Sequence, residues 1–70
     1  MDHTTWMQKH SDLSARVEAV RARRDELVRH SEYIPGPVLQ KRDHALDRLE
    51  VGLLEQLAAL VELDRSGAVS

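Results

Sequence analysis

The fold is decided by residues 49–63, which read LEVGLLEQLAALVEL. Apolar side chains recur in this segment at spacings of three and four residues, which places them along one broad face of an α-helix. An earlier segment carries the same rhythm on a narrower stripe, formed by Leu13, Val17, Val20, Leu27 and Ile34. The sequence therefore predicts an all-α protein whose second helix has more apolar surface than its first helix can cover.

The two helices are separated by the sequence Pro35-Gly36-Pro37. A proline disfavours the α conformation in the residue before it, whereas Pro37 suits the first turn of a new helix. We therefore predict helix 1 over about residues 5–33, a turn at 35–37 and helix 2 over about residues 37–65. The chain is expected to form one domain, an antiparallel hairpin of two long helices.

The ends of the helices carry capping signals. Thr5 and Gln8 have the spacing of a capping box, and a heptad that runs from Trp6 to Ile34 favours this early start for helix 1. Gly67 suits a left-handed cap after helix 2. Helix 2 repeats the heptad, and its predicted seam consists of Leu39, Arg42, Leu46, Leu49, Leu53, Gln56, Leu60 and Leu63. Heptad packing then predicts three contacts between the helices: Leu27 with Leu46, Val20 with Leu53, and Leu13 with Leu60.

A dimer is the expected route to stability. The chain has only 70 residues and no cysteine, so a small core must be supplemented by oligomerisation. Leu54, Leu57 and Val61 face sideways from the predicted hairpin, and two hairpins that bury these faces would form a two-fold four-helix bundle. Parallel and antiparallel docking both fit. The expected dimer interface comprises Leu49, Leu53, Leu54, Leu57, Leu60 and Val61.

The charges favour pairing between the helices. The net charge is −2, and eight of the ten basic residues are arginine. Because the arginines of helix 1 are spread around the helix and acidic residues interrupt them, we expect them to pair with the more acidic helix 2. The alternative is a nucleic-acid-binding helical hairpin dimer that uses the arginines of helix 1. In architecture the predicted hairpin dimer resembles the Rop-type RNA-binding proteins.

Catalysis and metal binding find little support in the residues. Polar seam residues have two interpretations, a structural role or a polar pocket lined by Arg24, Arg42 and Gln56. Residues 43–60 resemble the leucine-rich first helix of the all-helical chorismate mutases, which implies a cationic pocket, but the third helix of that family is missing. Neither His-x-x-x-His nor Glu-x-x-His occurs, so we predict a non-enzyme with no metal and no cofactor.

The remaining function is binding to protein. Trp6 and Met7 lie near a chain end, where an exposed aromatic residue suits an interface anchor; the alternative is that Trp6 covers the open end of the bundle. With Arg16, Arg21 and Arg23 they are the candidate partner-binding residues. No signal peptide or membrane segment is apparent, so a cytoplasmic protein is expected. We predict a homodimeric regulator, inhibitor or adaptor of another protein, including one encoded by a phage or mobile element.

Overall fold

Two helices packed side by side make up the protein. The computed structural model covers residues 1–70 and contains helix α1 (His3–Arg29), a 3₁₀ turn (Ser31–Tyr33) and helix α2 (Gly36–Arg65). No strand is present, and the molecule is a rod of about 50 × 15 × 12 Å. The predicted all-α hairpin is confirmed.

Helix α1 begins two residues earlier than the sequence predicted. Asp2 is its N-cap, and the Asp2 carboxylate accepts a hydrogen bond of 2.6 Å from the Thr5 amide. This bond holds the pKa of Asp2 below its ordinary value. Thr5 is therefore inside the helix, and the predicted capping box of Thr5 and Gln8 is wrong. The Asp2 cap serves the purpose predicted for it, since it satisfies an amide of the first helical turn that has no partner within the helix.

The turn corrects the predicted end of helix 1. The α-helix stops at Arg29 rather than near residue 33, because the chain leaves the α conformation at His30 and tightens into the 3₁₀ turn. Ile34 is extended (φ −115°, ψ 126°), as the residue before a proline tends to be. Pro37 lies in the first turn of α2, as predicted.

Gly67 closes α2 in the predicted left-handed conformation, with φ of 78°. Its amide donates to the Asp64 carbonyl at 3.1 Å, and the Ala68 amide donates to the Leu63 carbonyl at 3.0 Å. These two bonds form a Schellman motif. The chain ends also meet, since the Met1 ammonium donates to the Ala68 carbonyl at 3.1 Å.

The core is small. Only four of the 70 residues are buried, namely Val17, Val20, Leu53 and Leu60. Val20 and Leu53 share one apolar cluster, as the heptad predicted, and Leu13, Leu46 and Leu57 pack around it. The last of these is a difference from expectation, because Leu57 faces the core instead of pointing sideways.

Helix α2 is rotated relative to the predicted seam. The predicted seam combined the core leucines with a second row of residues that recurs every seven positions. All members of that second row are exposed: Arg42, Leu49, Gln56 and Leu63. The adjacent row is half-buried in their place: Asp43, Glu50 and Leu57. Two contacts favour this rotation, because Asp43 and Glu50 pair with Arg24 of α1 and Leu57 packs against the core cluster.

Candidate functional site

One side of the hairpin, which we call the ion-pair side, is held by arginines of α1 and carboxylates of α2. Arg24 Nε lies 3.1 Å from an Asp43 oxygen, and Arg24 Nη1 lies 3.1 Å from Asp47 and 3.3 Å from Glu50. The three carboxylates follow one another at spacings of four and three residues, so they share one face of α2. Arg21 Nε adds a contact of 3.3 Å to Glu50. The predicted charge pairing between the helices is confirmed.

The Arg24 cluster is partly open to solvent, which limits its contribution to stability. Hydrogen bonding to Asp43 raises the pKa of Arg24 above its ordinary value. The cluster therefore acts mainly on geometry, because it fixes which face of α2 is turned towards α1. The sequence interpretation of Arg24 as part of a polar pocket with Arg42 and Gln56 does not describe this arrangement, since the latter two are exposed.

The opposite side carries a long groove between the helices, which we call the open groove. It runs from the turn to the free ends of the helices. Its floor consists of core side chains: Leu13, Val20, Leu27, Leu46, Leu53 and Leu60. Leu49 and Leu63 line it on the α2 side, and Arg16 and Arg23 line it on the α1 side. The groove thus combines an apolar floor with a basic edge.

The basic edge is regular. Lys9, Arg16 and Arg23 are seven residues apart, which places them about 10 Å from one another along the same side of α1. All three line the open groove. Ion pairs in the structure engage only Arg21, Arg24 and Arg65 among the cations. Of the arginines of α1, Arg21 and Arg24 are paired on the ion-pair side, Arg16 and Arg23 are unpaired beside the groove, and Arg29 is in neither set.

A row of small residues forms part of the α2 edge of the groove. Ala45, Gly52 and Ala59 are also seven residues apart, and Ala45 and Ala59 line the groove. A Cβ atom built on Gly52 would meet nothing within 4 Å. The space above this row is therefore open, and another helix could approach the α2 backbone closely there.

The six residues expected at a dimer interface lie in three different places. Leu53 and Leu60 are buried against α1, and Leu57 is half-buried beside them. Leu54 and Val61 are exposed and follow Glu50 by four and eleven residues, which puts them on the ion-pair side. Leu49 is exposed on the other side, in the open groove.

Trp6 has an internal partner. Its indole Nε1 donates to the Leu60 carbonyl at 2.7 Å, and its ring stacks on His10 with 5.2 Å between the ring centroids. The indole is half-buried, so it joins the open ends of the two helices. Met7 beside it is exposed. Of the other residues predicted to bind a partner, Arg21 is engaged by Glu50, whereas Arg16 and Arg23 are free.

Sequence reasoning identified Arg16 and Arg23 but missed Lys9 and Leu63, which complete the groove. The seven-residue spacing of Lys9, Arg16 and Arg23 was a visible signal, but the predicted seam of helix 2 included Leu49 and Leu63, which are exposed. If α2 were not rotated towards Arg24, Leu49 and Leu63 would lie in the predicted seam between the helices. No groove would then be present beside the basic row.

Comparison with protein-family models, with curated proteins and with solved structures finds no match to this chain. Neither helix contains an apolar segment that could cross a membrane. No three His, Asp or Glu side chains are grouped as the ligands of a metal ion would be.

Proposed function

We propose that this chain is a homodimeric protein-interaction module that acts as a regulator, inhibitor or adaptor in the cytoplasm, without catalysis. The observation that carries the proposal is the imbalance between core and surface. Four side chains are buried, while ten large apolar side chains are exposed. A 70-residue chain with so small a core needs a further source of burial, and apolar surface left in water marks interaction sites.

The ion-pair side is the better candidate for self-association. A two-fold interface brings the same surface of both copies together. On the ion-pair side most of the charge is compensated within each chain, because Arg21 and Arg24 pair with the three carboxylates of Asp43, Asp47 and Glu50 and leave one negative charge. On the groove side a second copy would bring the unpaired row of Lys9, Arg16 and Arg23 into the interface, where uncompensated charge is costly.

The free energy gained by covering exposed apolar side chains indicates which residues the dimer needs. Leu54 and Val61 are 41% and 37% exposed, so covering them contributes only about 2–5 kcal/mol over both subunits. That does not offset the association cost of about 4–15 kcal/mol. Met7 and Val28, which are 53% and 71% exposed on the same side of α1, raise the apolar contribution to about 6–12 kcal/mol. The proposed interface therefore includes both helices.

The test is molar mass by light scattering over a dilution series, on wild type and on Leu54→Glu. Leu54 is a sharper choice than Leu57, because a charge at Leu57 would also disrupt the core cluster. The matched control is Leu49→Glu, the same change on the opposite side of α2. We expect a wild-type dimer that Leu54→Glu dissociates and Leu49→Glu leaves intact. A wild type that stays folded as a monomer at every concentration would refute the proposal.

Nucleic-acid binding ranks below this function. Of the arginines of α1 that it would use, Arg21 and Arg24 are held by carboxylates of α2. The unpaired row of Lys9, Arg16 and Arg23 favours it, but Asp12 and Glu26 line the same groove. A duplex-binding helix tends to keep its cations together with few acids among them.

A further inference from the structure

We propose that the open groove binds an acidic amphipathic helix of a partner protein, whose leucines lie on the groove floor and whose carboxylates pair with Lys9, Arg16 and Arg23. This inference rests on the proposed function and specifies the class of partner. It requires that the groove stay uncovered when the chain associates with itself.

The shape of the groove favours a helix. Its floor is a row of five leucines and one valine between two antiparallel helices, and such a groove suits the apolar stripe of a third helix. Beside the floor, the α2 edge carries small side chains at Ala45 and Ala59, with Gly52 between them. Small residues at this spacing allow the partner backbone to come near without displacing any side chain.

The charge of the groove specifies the sign of the partner. The chain as a whole carries −2, yet three unpaired cations stand along the α1 edge of the groove. Arg42 adds a fourth cation near the turn. Two acidic residues, Asp12 and Glu26, also reach the groove, so the local balance remains positive. A partner with carboxylates along one edge would complement it.

The spacing of the cations specifies the partner further. Lys9 to Arg23 spans about 21 Å, or two heptads. A partner helix whose carboxylates recur every seven residues can pair with all three cations at once, whichever way it runs. Nucleic acid fits less well, because its phosphates would leave the apolar floor of the groove uncovered.

The experiment uses two synthetic helical peptides of about 21 residues that share one leucine stripe. In the first, glutamates flank the stripe every seven residues; in the second, lysines replace them. Each is labelled with a fluorophore, and binding to the full chain is measured by anisotropy at low and at physiological salt. We expect the acidic peptide to bind at least about tenfold more tightly than the lysine peptide, with an affinity that weakens as salt rises.

The decisive variant is Arg16→Glu with Arg23→Glu, which should reverse the preference in favour of the lysine peptide. Its control is Arg29→Glu with Arg65→Glu, since these are also exposed cations and neither lines the groove. The control should keep the wild-type preference. Helical content by circular dichroism, recorded on every variant, verifies that each is folded.

Leu49→Glu tests the apolar contribution. It should weaken the binding of the acidic peptide by about tenfold or more, although all the cations remain. Three results would overturn the inference: no peptide binds, both bind alike, or the double arginine variant binds as wild type does. A single-stranded oligonucleotide that binds through Arg16 and Arg23, when neither peptide does, would assign the row to nucleic acid.

Molar mass, measured on the same samples, separates this inference from the proposed function. If Leu49→Glu dissociates the dimer and Leu54→Glu does not, a second copy covers the groove. The partner-helix inference then fails while self-association stands. If wild type is a folded monomer that still discriminates between the peptides, the dimer fails and the groove stands.

Discussion

Replacing Gly52 by alanine should stabilise the protein. Gly52 lies in the interior of the 30-residue helix α2 without a positive φ, and a Cβ atom there meets nothing within 4 Å. Alanine therefore adds no clash and removes the backbone entropy that glycine loses on folding. This difference is worth about 0.5–1 kcal/mol in the middle of a helix. For a chain of this size it corresponds to a rise in Tm of about 2–8 °C.

The assay is thermal unfolding followed by circular dichroism, supported by urea denaturation. Wild type and variant are compared at the same protomer concentration, because association makes Tm depend on concentration. The matched control is Gly67→Ala. That position is equally free of neighbours but has φ of 78°, so alanine there should lower the free energy of unfolding by about 1–2 kcal/mol. Fraying of the helix end would reduce this cost.

A decrease in Tm for Gly52→Ala would refute this reasoning. It would mean that something approaches the Gly52 backbone so closely that a methyl group is not tolerated. Since nothing in the hairpin does so, the obstacle would be a second copy, and self-association would have to be reassigned to the open groove.

Three further predictions concern the core, the ion pairs and the cap. Leu53→Ala should lower the free energy of unfolding by about 2–5 kcal/mol and Leu49→Ala by much less, as measured by urea denaturation, because only the first is buried. Arg24→Met should lower the free energy of unfolding at neutral pH, because it leaves the carboxylate partners of Arg24 to repel one another. Acidification should reduce the difference in this free energy between the variant and wild type; a difference that does not change with pH would contradict the ion-pair role. Because the pKa of Asp2 is lowered in the folded state, its stabilising effect is complete above the unfolded-state pKa and is lost as the pH falls through the folded-state pKa. Helical content should therefore fall less on acidification in Asp2→Asn than in wild type, as followed by circular dichroism.

The hairpin itself could be predicted because its signals are local. A proline pair around one glycine ends one helix and starts the next, and apolar residues at helical spacing define both elements. The cap at Gly67 was equally accessible, since a glycine after a helical pattern suits a left-handed conformation. The start of α1 was predicted two residues late, because Asp2 and Thr5 are both good N-caps and only the Asp2 carboxylate bond to the Thr5 amide distinguishes them.

The rotation of α2 could not be predicted from hydrophobic spacing. The leucines of α2 fit a seam completed by Leu49 and Leu63 as well as one completed by Leu57. The choice depends on a contact between distant parts of the chain, in which Arg24 draws Asp43 and Glu50 inwards. The open groove is a consequence of that choice, and for this reason the candidate site was seen only in part.

The aliphatic core alone would leave the alignment of the two helices ambiguous. The main apolar positions of α2 recur every seven residues, at Leu39, Leu46, Leu53 and Leu60. A hairpin displaced by one heptad would therefore bring leucine onto leucine again, with part of one helix unwound at the turn. Misaligned states of this kind compete with the native state whenever a sequence is repetitive.

Arg24 separates these states. In the native alignment it meets Asp43, Asp47 and Glu50. A displacement of seven residues in one direction would place it against Gly36, Gln40 and Asp43, and in the other direction against Glu50, Leu54 and Leu57. Either way a cation with three carboxylate neighbours would keep one. Each ion pair that a displaced hairpin loses raises its energy relative to the native state, so Arg24 widens the energy gap to these competitors.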